Sequence, residues 1–345
     1  MSGATYTASC INAALRCGTL YRYLYLDGYV PAKEKPTLEV GTMVHRGLES
    51  FWKGESYHQA AAAMDALKNE SPLFWDTEEG VLALAKSKLY LWGYYYRWMP
   101  SMDDFVEHKT TVEDEFRLKI DKIPFAGKFD VVTKDASNGR WIIIEHKTAG
   151  SHASNITSPY WEKLPMDVQL TLYREAVRRR HSLAYIPDVI YDVIITTSSE
   201  PSQRKPYIRK RKNESADSYN ARREGNKETP EEYLERITPD YYDPPHLAGS
   251  SKYIRRRITV TKEEHQERLA EIVAMARILE PASLRDYGDN EAPSPWTLIR
   301  NTSSCKDFGG CEFLNVCLSR EGLESASYMK REIHPELTML NQEEK

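Results

Sequence analysis

No apolar run in this chain is long enough to cross a bilayer, and its first residues lack the basic-then-apolar pattern of a secretory leader. Cysteine is scarce: five residues, an odd number, make a poor disulfide framework. Together these predict a soluble, cytoplasmic protein whose thiols stay reduced and can bind metal. Basic charge is not in excess either. At a formal charge of −4, any affinity for nucleic acid must come from local patches. The chain has no internal repeat and no phosphate-binding G-x4-G-K-[ST] loop, so a helicase function would have to be supplied by a partner.

What is present is enough for a sizeable core. The 345 residues are 41% hydrophobic, with 22 tyrosines and 7 tryptophans that suit either core packing or stacking on bases. Apolar spacing predicts helices over residues 7–26, from about 38 to 53, over 58–69 and over 78–98. Strand patterns follow over 112–120, 125–133 and 141–147, then a helix over 165–180 and a strand over 189–196. That order implies a mixed sheet with helices on its faces. Residues 198–252 turn polar and read as a mobile or functional loop, before a helix over 262–279. The expected organisation is a helical region (1–100), a core (101–197), a polar basic insertion (198–260), a C-terminal helix with a cysteine segment (261–327) and a tail (328–345).

The apolar run Trp141-Ile142-Ile143-Ile144 leads straight into Glu145-His146-Lys147. Glu145 and Lys147 are two apart on a strand and project from one face. Asp130 closes the preceding strand after Gly127-Lys128-Phe129, where the glycine allows close backbone approach. If the two strands pair, two carboxylates converge beside an ammonium. That set suits phosphodiester hydrolysis: hard oxygens hold Mg²⁺ or Mn²⁺, the His146 carbonyl offers another, and Lys147 orients water or stabilises developing charge. An isolated E-x-K is more often a surface ion pair, so the set matters more than the triplet.

Cys305, Cys311 and Cys317 cluster near the end of the chain, and Cys17 lies far upstream. Four thiolates can hold [4Fe–4S] or Zn²⁺; the lack of a C-x2-C knuckle weighs against zinc. Cys10, seven residues before Cys17, is the leftover and reads as a core residue, with ligation in place of Cys17 as the alternative. Two basic runs, holding Arg204, Lys205, Arg209, Lys210, Arg211 and Lys212, and then Arg255, Arg256 and Arg257, suit phosphates, with Tyr207 and Tyr253 placed to stack on bases. The competing reading is a solvated loop.

Gly127-Lys128-Phe129-Asp130 and Ile143-Ile144-Glu145-His146-Lys147-Thr148 resemble motifs II and III of the PD-(D/E)XK nuclease superfamily, in its RecB-like branch with the iron–sulphur AddB and CRISPR-adaptation exonucleases. Gly41-Thr42-Met43-Val44-His45 resembles motif I, whose histidine is a metal ligand, and Gln169-x3-Tyr173 resembles the helical Q-x3-Y motif. Cys17 and the C-terminal trio resemble the cluster ligands, with Gly18 where proline is usual and a longer first gap. The resemblance implies a restriction-endonuclease-like α/β fold with an N-terminal helical region and a C-terminal cysteine cluster. It implies catalytic roles for Asp130, Glu145, Lys147, Gln169 and Tyr173, metal binding by His45, Asp130, Glu145 and His146, and an iron–sulphur clasp. The function it implies is a DNA exonuclease of recombination, repair or phage DNA processing, acting with a single-strand-binding or annealing protein or a helicase. A non-catalytic iron–sulphur DNA-binding subunit and a structure-specific endonuclease are the alternatives.

Overall fold

The computed structural model describes residues 5–32, 36–70, 72–197, 201–202, 207–242, 252–283, 299–334 and 337. The predicted first helix is broken in three: α1 (Ala8–Arg16), α2 (Gly18–Tyr21) and a π-turn (Arg22–Leu26), with Cys17 extended at the first break. A short strand, β1 (Tyr29–Pro31), follows. Then come α3 (Pro36–Trp52), α4 (Tyr57–Glu70), α5 (Pro72–Trp75) and α6 (Glu78–Trp98). Thr7 and Thr77 cap α1 and α6 by accepting the first free N–H groups.

The next segment forms β2 (Thr111–Ile120), β3 (Ile123–Lys134) and β4 (Trp141–Ala149), then α7 (Pro159–Glu162), α8 (Val168–Arg180) and β5 (Asp188–Ile195). The polar stretch beyond them departs from the expected loop. It folds as α9 (Ala216–Glu224), α10 (Pro230–Tyr241) and β6 (Tyr253–Ile258). Helix α10 has a capping box at Thr229 and Glu232, and it buries Tyr233, Ile237 and Tyr241. Three well-spaced apolar residues anchor it, too few for the composition to reveal. The chain ends with α11 (Lys262–Ser283), α12 (Leu314–Cys317) and β7 (Tyr328–Lys330).

The main sheet has the order β2-β3-β4-β5-β6. All its neighbours are antiparallel except β4 and β5, whose parallel pairing is made possible by the α7–α8 crossover. Cores lie on both faces. One packs α1, α8 and α11 on the sheet through Ile11, Leu172 and Ile272; the other packs α3, α6 and α10 through Val44, Tyr94 and Ile237. Ile142, Ile143 and Ile144 are buried alternately in the two, as a central strand requires, and each contributes about 1.5–3 kcal/mol of apolar burial. A third, small core around Leu20, Tyr23 and Phe313 joins the N-terminal helices to the C-terminal segment, where β1 pairs with β7.

Candidate active site and cysteine clasp

The site forms where β3 and β4 part. Their ladder runs from Lys134↔Trp141 to Val131↔Ile144 and stops. Beyond it β4 continues against β5 alone. The amide of His146, freed from the β3 backbone, donates to Asp130 Oδ2 at 2.7 Å. A carboxylate thus takes the place of a ladder carbonyl, which fixes Asp130 to His146, the residue between Glu145 and Lys147 on β4.

Alternation along β4 sends its side chains to opposite faces. Lys147 donates to Glu145 Oε1 and, at 3.2 Å, to Gln169 Oε1 on α8. Gln169 Nε2 donates to the Tyr173 hydroxyl at 2.8 Å, and that hydroxyl donates to the Lys128 carbonyl. Gln169 and Tyr173, one helical turn apart, therefore hold the lysine from one side and β3 from the other. Gly127 makes the second contact possible, because a Cβ there would lie 2.8 Å from the Phe116 ring and 3.3 Å from that of Tyr173. His45 approaches from α3 on the other face, with Nδ1 3.6 Å from Asp130 Oδ1.

The sequence reading missed Glu113. It lies on β2 between the pairs Val112↔Val131 and Asp114↔Phe129, level with Asp130. Both strands change phase there. Phe116 and Phe129 belong to the core under α8, whereas Val112 and Val131 face the core under α3 and α6. Glu113 carries the inversion with φ +53°, an unusual backbone for a residue that is not glycine. Ligand atoms of His45, Glu113 and Asp130 lie within 4.8 Å of one another, the one such trio among the described residues. Glu113 also pairs with Lys128 at 2.5 Å. An isolated glutamate in an amphipathic strand gives no signal of this.

The electrostatics separate the carboxylates. Burial would raise Asp130, but His45, Lys147 and His146 outweigh it and hold the carboxyl well below its usual range. Glu145 is pushed up to about 8 by burial and by the charge on Asp130. Its Oε2 is buried and has no hydrogen-bond partner, which leaves a lone pair facing no donor. Burial works against the charge on Lys147, but Glu145 and Asp130 prevail and raise it. His45 is likewise raised by Asp130 against its burial. Glu145 is not among the three whose ligand atoms come together, but it interacts electrostatically with His45 and Asp130, and the trio, coupled through charge to that orphaned carboxylate, fits a divalent cation.

The His146 ring points away from Asp130, into a buried network. Nδ1 lies 3.5 Å from Asp192 Oδ2, and burial lowers the ring to about 4. Any ligand role for His146 thus falls to its main chain. Asp192 accepts from Tyr94 (2.6 Å) and from Arg255 Nε (2.8 Å), and the Arg255 guanidinium stacks 4.0 Å from the Trp98 ring. Of Arg255, Arg256 and Arg257, the last two are exposed and Arg255 is turned inward. They lie on β6, not on a loop, so alternation turns Arg255 inward onto its register partner Asp192. Arg257 pairs with Asp135 and Asp188, and Arg256, exposed, donates to the Ile156 carbonyl. Tyr253 is also interior, its hydroxyl donating to the Tyr90 carbonyl at 2.9 Å, so it has no face for a base.

In the other basic run, Arg204 and Lys205 lie outside the described residues. Arg209, Lys210, Arg211 and Lys212 are exposed, as is Tyr207. Glu214 braces them, accepting from the Arg211 amide and from Arg222, whose guanidinium also donates to the Arg209 carbonyl. Glu49 is occupied by Arg46 and Lys53 on the surface of α3.

Cys17, Cys305, Cys311 and Cys317 line one cavity of about 160 Å³, walled by Leu20, Tyr23 and Phe313. All four are free thiols, half-exposed. Asn301 braces the site: its amide lies 3.5 Å from Cys17 Sγ and its side chain donates to the Arg16 carbonyl. Arg16 in turn donates to the Ser304 carbonyl. Burial raises the thiols of Cys311 and Cys317. Cys10 lies apart, buried in the core under α1. Among the described residues no three sulphurs come within 4.8 Å of one another.

The chain belongs to the PD-(D/E)XK nuclease superfamily, whose family model matches residues 5–318. Its five-stranded mixed sheet with flanking helices is consistent with the restriction-endonuclease-like fold of that superfamily. Among solved structures it is similar to a protein from Eubacterium rectale described as a candidate exonuclease, at 12% identity and a TM-score of 0.45, over 98% of this chain and 92% of that one. A search of curated proteins finds no match. Among the described residues, no helix is long and apolar enough to cross a membrane.

Proposed function

We propose that the protein is a Mg²⁺- or Mn²⁺-dependent DNA exonuclease whose fold is clasped by a [4Fe–4S] cluster. The observation that carries the hydrolytic part is the seating of Asp130 on the His146 amide, between His45 and the Glu145–Lys147 pair. A divalent ion bound there supplies the charge that polarises a phosphoryl oxygen and acidifies water. Asp130, Glu145, His45 and the His146 carbonyl are its proposed ligands. Asp130, ionised and fixed by its amide bond, presents a ready oxygen. Lys147, held by Gln169, places an ammonium where the attacking oxygen or the developing negative charge would lie. Tyr173 keeps Gln169 and β3 in register with each other. Arg209–Lys212 form the proposed phosphate contact.

The preference for exonuclease action, for DNA ends, and for recombination, repair or phage DNA processing rests on the motif set that resembles the RecB-like branch. The complete Asp130, Glu145 and Lys147 set favours an enzyme over a non-catalytic subunit. For the clasp, four cysteines lining one cavity without a C-x2-C knuckle favour a cluster over zinc. Cys17, Cys305, Cys311 and Cys317 would hold it, with a structural role.

The test is digestion of linear and circular DNA with Mg²⁺ or Mn²⁺ by the wild type, Glu145→Ala and Lys147→Ala. Exonuclease action degrades linear DNA and spares circles, and both variants lose it. Equal digestion by all three proteins removes the active-site assignment; cleavage of circles makes the enzyme an endonuclease. Iron and sulphide content of anaerobically purified protein tests the clasp, with stoichiometric zinc as the contrary result.

A further inference from the structure

We propose that Glu113 is a further ligand of the divalent-cation site, so that β2 contributes to the active centre together with α3, β3 and β4. The inference deepens the nuclease reading and rests on it. No motif that the chain resembles includes this residue.

Three observations converge. First, ligand atoms of His45, Glu113 and Asp130 already lie within 4.8 Å of one another. Octahedral Mg²⁺ with bonds near 2.1 Å puts opposite ligands about 4.2 Å apart, so little closure is needed. Second, Glu145 Oε2 is fully buried, lacks a hydrogen-bond partner and belongs to a side chain that interacts electrostatically with both Asp130 and His45. A lone pair left without a donor on a side chain coupled to two members of the trio fits a cation bound among them. Third, the phase change in β2 and β3 falls at Glu113 and Asp130 on both strands. The register sets the two carboxylates side by side at that point, where His45 of α3 meets them.

The rival role is a plain ion pair, because Lys128 Nζ lies 2.5 Å from Glu113 Oε2. The two roles separate in Mn²⁺ binding to the full-length protein without DNA, read from the loss of the free Mn²⁺ paramagnetic resonance signal. Asp130→Asn and Glu113→Gln are each expected to weaken Mn²⁺ binding by at least about tenfold. Lys128→Met, which removes the ion pair and leaves the carboxylate, is expected to bind as tightly as the wild type or more tightly. Glu113→Asn, whose side chain tolerates the left-handed backbone, gives the same comparison should the glutamine variant fold poorly.

Unchanged affinity in Glu113→Gln alongside loss in Asp130→Asn overturns the inference and leaves the nuclease reading standing. Equal weakening in Glu113→Gln and Lys128→Met also overturns it, in favour of the ion pair. Unchanged affinity in Asp130→Asn sinks the metal site itself, and the nuclease reading with it.

Discussion

The carboxylate site and the cysteine clasp both gather ligand-type side chains from distant parts of the chain, yet they are prepared in opposite ways. Asp130 is held ionised by His45 and by its neighbours' charge, so a hard cation meets a negative oxygen at once. The thiols of Cys311 and Cys317 are pushed up by burial and stay protonated until a metal displaces the proton. The first arrangement suits an ion that comes and goes with substrate. The second suits a group installed once and retained. Surroundings match: a charge-rich cluster where two strands part against an apolar-walled cavity that bridges the two ends of the fold.

The largest expected effect breaks the carboxylate side alone. Lys147→Ala should lower DNA hydrolysis by about a hundred- to thousandfold with iron content unchanged, as measured by initial rates and metal analysis. Next in size is a stability change away from both sites. Arg255→Met leaves the buried Asp192 with the Tyr94 hydroxyl and the His146 ring but without its guanidinium counter-charge, at a cost of about 3–5 kcal/mol in denaturant unfolding. Neutralising Arg209–Lys212 should leave unfolding alone and weaken DNA binding in a salt-dependent way.

A comparable loss, about 2–5 kcal/mol, is expected from Cys317→Ser if the clasp is a cross-link, together with loss of bound metal. Cys10→Ala should retain the metal and lose about 1 kcal/mol of packing.

The smallest effect is on pH dependence. Glu145 has a folded pKa of about 8, above its ordinary carboxylate value, so the folded state holds more protons than the unfolded state between those values. Stability of the metal-free protein should therefore fall as pH rises from about 6.5 to about 8, above the range where the buried His146 ring gives the opposite slope, and Glu145→Gln should flatten that fall. Mn²⁺ should restore the wild type most at the alkaline end, where no proton has to leave.

Much of the fold was legible. The helix over 78–98 and strands near 112–120, 125–133, 141–147 and 189–196 carry apolar periods strong enough to survive in the structure. The carboxylate–lysine pair was legible because Ile142–Ile144 run straight into it. Three features were not. Glu113 depends on a backbone inversion that leaves no mark in composition. Arg255 and Tyr253 stand in a basic, polar stretch, and only strand pairing with β5 shows that they face inward. The role of Asn301 as the brace of Cys17 depends on contact across almost the whole chain.

The change of phase at Glu113 and Asp130 also sets a trap for protein engineers. A hairpin pleated evenly from Thr111 to Lys134 would satisfy every rule for a stable sheet and would relax the one awkward residue within it. It would also turn Val112 and Val131 out of the core under α3 and α6 and shift Glu113 and Asp130 relative to His45 on α3. Redesign that rewards thermal robustness alone would drift toward such a ribbon, and its best-behaved products would be inert.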